Sequence, residues 1–247
     1  MIGFAKTARF RNPLALFNIA FAVLAIAAAT MFGGNVHFVR SATSVDLVLI
    51  LALDVSTSVD EREFALQRDG LAQAFRNPVI IEAISRSGAG QIAVTVIQWA
   101  GHKQQSIALP WTIIRGSSSA RRFAVQLTKM RRHYEQGETS ITGVIRFAAQ
   151  LALSAPFTSG RRVIDLSGDG EDNVDYRPQL ARDDAIRQGI TINALAILDE
   201  TDDLDVYFRD RVIGGPGAFV MAARTFTDYP TSILKKLHRE VSINFLT

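Results

Sequence analysis

A chain of 247 residues, 48% of them hydrophobic, has room for one α/β domain plus an extension, and its composition excludes a disordered or low-complexity protein. It contains no cysteine, which rules out disulfides and thiol catalysis. The formal charge of +3 is confined to the first 40 residues, where Lys6, Arg9, Arg11 and Arg40 stand without an acid; elsewhere 23 bases face 24 acids, so no nucleic-acid partner is expected.

Lys6, Arg9 and Arg11 precede Leu14–Phe32, a 19-residue run in which only Asn18 and Thr30 are not apolar. As a helix rising ~1.5 Å per residue it would be roughly 28 Å long, close to the depth of a bilayer core. Positive charge ahead of the run predicts an N-in, C-out orientation. Ala27-Ala28-Ala29 also offers a small-residue cleavage site. Residues 1–33 therefore read as either a signal peptide or a retained N-terminal anchor, which touches the membrane only if it is uncleaved. Residues 34–44 read as a linker and 45–247 as the folded domain.

From there strand and helix patterns alternate. Val45–Leu53 reads as a fully buried strand, Asp60–Arg76 as a helix with an acid-rich first turn, and Val79–Ser85 as a short helix after the Asn77-Pro78 break. Gln91–Trp99 and Gln104–Trp111 lie close enough to form an antiparallel hairpin. Ser117–Arg132 reads as a helix, His133–Glu138 as a loop and Ile141–Leu153 as an amphipathic helix. Arg162–Leu166 (strand), Pro178–Gln188 (helix), Ile190–Leu198 (strand), Asp202–Val212 (helix), Ala218–Ala222 (strand) and Thr227–Val241 (helix) complete the order. The expected fold is α/β: a doubly wound, mostly parallel sheet with one antiparallel edge strand and helices on both faces.

Three clusters stand out against this frame: Asp54-Val55-Ser56-Thr57-Ser58, then Thr139, then Asp169-Gly170. The first and third follow core strands, where open α/β sheets build their ligand sites. Asp54, Ser56 and Ser58 would face one way if the strand end stayed extended. Carboxylates and hydroxyls, with no thiolate or imidazole, suit a hard divalent cation, magnesium or else manganese. Alone, each cluster reads equally as a cap or a turn.

In this order of elements the chain resembles a von Willebrand factor type A domain. The stretches IAVTVIQWAG (Ile92–Gly101), VIDLSGDGEDN (Val163–Asn173), GITIN (Gly189–Asn193) and VIGGPGAF (Val212–Phe219) further resemble DUF1194, a family of uncharacterised bacterial exported proteins. The resemblance implies a metal-ion-dependent adhesion site in which Ser56, Ser58 and Thr139 ligate the cation. Asp54 and Asp169 would bind it directly or through water. Thr142, rather than a glycine, stands three residues after Thr139, which leaves Thr142 as an alternative ligand. The implied function is cation-dependent protein–protein interaction, with an acidic side chain of the partner completing the coordination. The implied location is the periplasm, or the inner membrane with the domain outside the cytoplasm.

Two other functions fit parts of the sequence. One is a scaffold whose metal site is structural or vestigial. The other is a magnesium-dependent phosphatase-like hydrolase with Asp54 as nucleophile, but that chemistry wants a second acid where Ser56 stands, and no Gly-x-Ser-x-Gly elbow occurs. The chain is not expected to be an enzyme. His37, His102, His133 and His238 lack zinc spacing. Glu171, Asp172 and Asp175 read as a solvated loop, and Arg121-Arg122 and Arg131-Arg132 as the solvated face and end of one helix. Gly214-Gly215-Pro216-Gly217 reads as a turn at the far end of the sheet, since it does not lead from a strand into a helix.

Overall fold

The structure, a computed structural model, describes residues 42–242. In chain order its elements are β1 (Thr43–Ser44), β2 (Leu47–Asp54), α1 (Glu61–Arg76), α2 (Pro78–Arg86), β3 (Ile92–Trp99), β4 (Gln105–Ile114), α3 (Ser117–Thr128), α4 (Ile141–Leu153), β5 (Phe157–Thr158), β6 (Arg162–Gly168), α5 (Pro178–Arg187), β7 (Ile190–Ile197), α6 (Leu204–Tyr207), a π-helical turn over Phe208–Val212, β8 (Val220–Ala223), a 3-10 turn over Phe226–Asp228, and α7 (Tyr229–Ser242). Leu14–Phe32 lies outside the described residues, among which no helix is long and apolar enough to cross a membrane.

The main sheet runs β4-β3-β2-β6-β7-β8. Its strand pairs are parallel except β3 with β4, the expected antiparallel edge. All eight residues of β2 are buried, because the strand lies between β3 and β6 and helices cover both faces. Leu47, Leu49, Leu51 and Leu53 pack on one side with Phe64, Phe75, Phe123 and Leu237, so α1, α3 and α7 form that layer. Ile50 and Ala52 point the other way, onto Val144, Ile145, Ala185 and Phe208 of α4, α5 and the π turn. Pro110, which can donate no ladder bond, falls where the β3–β4 register slips between Val94 and Val96, on the edge strand where proline is tolerated.

Local chemistry sets the helix boundaries. Asp60 caps α1 in a reciprocal box with Glu63. Asn77 then ends α1 and caps α2, whose first residue is Pro78. The 117–132 stretch is helical only to Thr128. Helix over 202–212 is interrupted, since Ile213 donates to Phe208 and closes a wider turn. β1 and β5, a two-residue parallel pair, carry too little pattern to be anticipated. Gly215 and Gly217 adopt positive φ in the turn packed against Ile190 and Thr191 at the start of β7, the far end of the sheet.

One feature of the core is ionic. Asp165 of β6 alternates with Ile164 and Leu166, so it faces α7 and meets Lys236 at 2.5 Å. Lys236 also pairs with Glu240 at 2.8 Å, and Asn193 of β7 donates to the same carboxylate. All three charged residues are buried. Burial, with Glu240 next in effect, pushes the Asp165 carboxyl well above its usual range.

Candidate metal centre

The sheet order reverses between β2 and β6: β3 and β4 follow on one side, β7 and β8 on the other. A crevice opens at the carboxyl ends of strands at such a switch point. Asp54 is the last residue of β2, and Asp169 directly follows Gly168, the last of β6. The register pairs Leu53 with Ser167, which sets Asp54 beside Gly168. A Cβ at 168 would stand 3.0 Å from Asp54 Oδ2, so glycine leaves the carboxylate its room.

The backbone leaves the strand at Asp54 and does not continue extended, contrary to the alternation expected from the sequence. The Ser56 amide donates to Asp54 Oδ1 at 2.8 Å, an Asx turn, and Val59 N donates to Ser56 O. This turn, not strand pleating, gathers the donors. Ser56 and Ser58 hydroxyls lie 3.2 Å apart, and Ser58 Oγ donates to Asp169 Oδ1 at 3.0 Å.

Two further stitches bring in the threonine loop. Thr57 N and Oγ1 both donate to Gly137 O, and Gly137 N returns a bond to Thr57 Oγ1. Thr139 N donates to Asn173 Oδ1 at 2.8 Å, while Asn173 N donates to Thr139 O at 3.0 Å. The Thr139 hydroxyl faces Gly170, 3.7 Å from where a Cβ would stand. Thr142 is turned elsewhere: its hydroxyl and amide both donate to Asp172 Oδ2. All five residues read as donors thus share one end of the sheet. Ser58 and Thr139 line an open cavity of about 320 Å³, with Thr57, Gly170, Glu171 and Glu200 among its walls.

Two roles differ from the expectation. Arg132 is not on a solvated helix face. The chain leaves α3 early, and the guanidinium donates to Val55 O and Ser56 O from behind the donor loop. Asp172 is not solvated either. It is buried and accepts from Thr142 and from the amides of Val174, Asp175 and Tyr176. Although burial opposes ionisation, these bonds hold its carboxyl below the usual range. Gln67, whose amide donates to Asp54 O, is a support that helix periodicity gave no reason to single out.

The two remaining carboxylates are left wanting a partner. Asp54 Oδ2 and Asp169 Oδ2 are buried and accept no hydrogen bond. Burial and then the charge of Asp169 push Asp54 well above the ordinary carboxylate range. Burial lifts Asp169 to about 6, opposed by the Ser58 bond and reinforced by Glu200 and Glu63. A cation beside both would reverse these costs, since an opposite charge favours the ionised form. Among the described residues no three acidic, histidine or cysteine side chains gather as a metal cluster. A cation here would rest on hydroxyls and two carboxylates, a set that fits a hard ion. His133 Nδ1 is engaged with Ser106 Oγ at 2.6 Å, and His102 lies 3.7 Å from Asp175.

Sheet order and helix layers define a von Willebrand factor type A-like fold. It matches a von Willebrand factor type A structure from Catenulispora acidiphila (TM-score 0.51, 16% identity, 81% of this chain and 42% of that one). It also matches proximal thread matrix protein 1 of the mussel byssus with a zinc-occupied MIDAS motif (0.57, 15%, 81% and 49%). A third match is the manganese-loaded Plasmodium vivax TRAP protein (0.51, 15%, 80% and 73%). This chain spans about half the length of the mussel protein. No curated protein matches it. The chain belongs to the DUF1194 family, described as a protein of unknown function, whose model matches residues 44–245.

Proposed function

We propose that this protein is an exported, non-enzymatic domain that holds one divalent cation and uses it to bind another protein. The carrying observation is the convergence of Asp54, Ser56, Ser58, Thr139 and Asp169 at the switch point, with two buried carboxylate oxygens left without a partner. Magnesium or manganese suits these donors best; the mussel and Plasmodium structures hold zinc and manganese. Asp54 and Asp169 would offset the ion's charge, and the neutral hydroxyls of Ser56, Ser58 and Thr139 would leave it electrophilic. The cation supplies a Lewis-acidic contact for a partner's carboxylate. The rest of the work is the protein's own. Arg132 and Gln67 fix the donor loop, and the Thr57–Gly137 and Thr139–Asn173 bonds hold the threonine loop against it.

The test is thermal unfolding of the full chain with chelator and with millimolar-range magnesium or manganese. A ligand bound only by the folded form raises its melting temperature by mass action. The same samples are used to capture proteins from an envelope extract. Capture in cation and not in chelator supports the proposal. An unchanged melt removes the site, and equal capture in both leaves the domain a scaffold with a vestigial site.

A further inference from the structure

The walls of the site carry a charge pattern that a bare acidic ligand does not satisfy. Glu171, on the loop after β6, and Glu200, on the loop after β7, both line the cavity and are exposed. No lysine or arginine lines it. Arg132 is spent on the Val55 and Ser56 carbonyls behind the donor loop. Glu200 lines the cavity beside Thr201, among the same walls as Ser58 and Thr139. Behind this rim lie the two unpartnered carboxylate oxygens of Asp54 and Asp169.

Formal charge then decides what can dock. A divalent cation is neutralised by Asp54 and Asp169 alone. A partner carboxylate added to it makes the site net negative in a cavity whose rim already carries Glu171 and Glu200, a repulsion that salt screens over a Debye length of about 8 Å at physiological strength. Like charges juxtaposed at an interface discriminate against such a ligand. A base carried beside the partner's carboxylate converts that repulsion into attraction.

We infer, on the basis of the cation-dependent binding proposed above, that the partner presents an acidic side chain with a lysine or arginine beside it on one exposed loop. The carboxylate goes to the cation, and the base lies between Glu171 and Glu200. The rim thereby acts as a filter, rejecting purely acidic surfaces that the cation alone would accept.

Three immobilised peptides of equal length test this: one aspartate in a glycine-serine background, the same aspartate flanked by lysines, and the lysines without the aspartate. Binding of the full chain is measured in magnesium, in manganese and in chelator, at low and high salt. The flanked peptide is expected to bind about tenfold more tightly than the bare aspartate at low salt, with the gap closing as salt rises. Binding of the flanked peptide is expected to vanish in chelator, and the lysine-only peptide should stay near background. The double variant Glu171→Gln with Glu200→Gln, at two exposed positions, should fold normally and bind the bare aspartate better than the wild type does. Equal affinity for bare and flanked peptides overturns the filter and leaves cation-dependent binding intact. Full-strength binding of the flanked peptide in chelator overturns it too, by showing that the lysines suffice. If no peptide binds while magnesium still raises the melting temperature, the filter fails and the cation site stands. If the melt is also unmoved, the cation site itself fails.

Discussion

The Thr142 hydroxyl and amide both donate to one buried oxygen of Asp172, each at 2.7 Å, across 30 residues of sequence. Two threonines three positions apart therefore do different work. Thr142 ties the start of α4 to the loop that follows Asp169, whereas Thr139 presents its hydroxyl at the cavity. Thr139→Ala should abolish the magnesium-induced rise in melting temperature with little change in metal-free stability, because it removes a donor without opening a core cavity. Thr142→Ala should do the reverse. Loss of a bond to a charged, buried acceptor costs about 1.5–3 kcal/mol, while the cation response survives. Urea unfolding with and without magnesium separates the two. A Thr142→Ala protein that is stable but blind to magnesium would reassign the ligand.

The metal-free site should make the protein sensitive to pH in a definite direction. Asp54 and Asp169 titrate above their ordinary range in the folded protein, Asp169 near 6. The folded form thus binds more protons than the unfolded chain, whose carboxyls titrate at roughly 4. Stability contributed by the protonated site is full below the unfolded value and is lost as pH rises to about 6 and beyond. A cation favours the ionised forms, so the stabilisation by magnesium should grow over the same window. Melts between pH 4 and 7.5 would show this. A magnesium shift that is largest at pH 4 counts against Asp54 and Asp169 as its anchors.

The gathering of Asp54, Ser56, Ser58, Thr139 and Asp169 at one end of the sheet was legible from the order of the three clusters along the chain, since each cluster alone reads equally as a cap or a turn. Asp54 and Asp169 fall at the reversal of strand order; a doubly wound sheet requires such a reversal, but alternating elements do not say between which strands it lies. What escaped were partnerships between residues distant in the chain. Arg132 looks like a helix-end charge until the chain leaves the helix at Thr128 and carries it to the Val55 and Ser56 carbonyls. Asp172 looks like one acid among several, and only the fold shows its carboxylate taking five donors. Convergence of the Asp-x-Ser-x-Ser donors came from a turn, since the Asp54 side chain competes for the Ser56 amide and breaks the strand. Asp165 was hidden in an apolar run because its partner Lys236 lies on the last helix, 71 residues away.

Whether residues 1–33 export the domain is open to a direct test. The proposed export rests on Lys6, Arg9 and Arg11 ahead of Leu14–Phe32, charges that would favour an N-in, C-out orientation if the run inserts. A reporter active only outside the cytoplasm, fused after Thr247, should be active, and one active only inside should be silent. The opposite pattern would refute export. Mass spectrometry of the purified chain then distinguishes a new terminus after Ala27-Ala28-Ala29 from an intact anchor.

Asp165, Lys236 and Glu240 form a buried ionic cluster between β6 and α7. Lys236 is the ammonium between Asp165 at 2.5 Å and Glu240 at 2.8 Å, and all three are sealed from water. Phe219 adds a ring face 5.4 Å from its nitrogen. Truncating one member of a buried ionic group strands its partners, which typically costs about 3–5 kcal/mol. Lys236→Met keeps the volume and the apolar stem but leaves two carboxylates facing each other, so it should cost that much. Asp165→Asn should cost less, because burial and Glu240 already disfavour the Asp165 charge, and Lys236 keeps Glu240 as its counter-ion. Urea midpoints at neutral pH should therefore fall further for Lys236→Met than for Asp165→Asn. Lowering the pH should recover part of the Lys236→Met loss, since protonation removes the repulsion between the stranded carboxylates. A Lys236→Met protein as stable as the wild type, or one whose loss deepens at low pH, would mean that α7 is held by its apolar face alone.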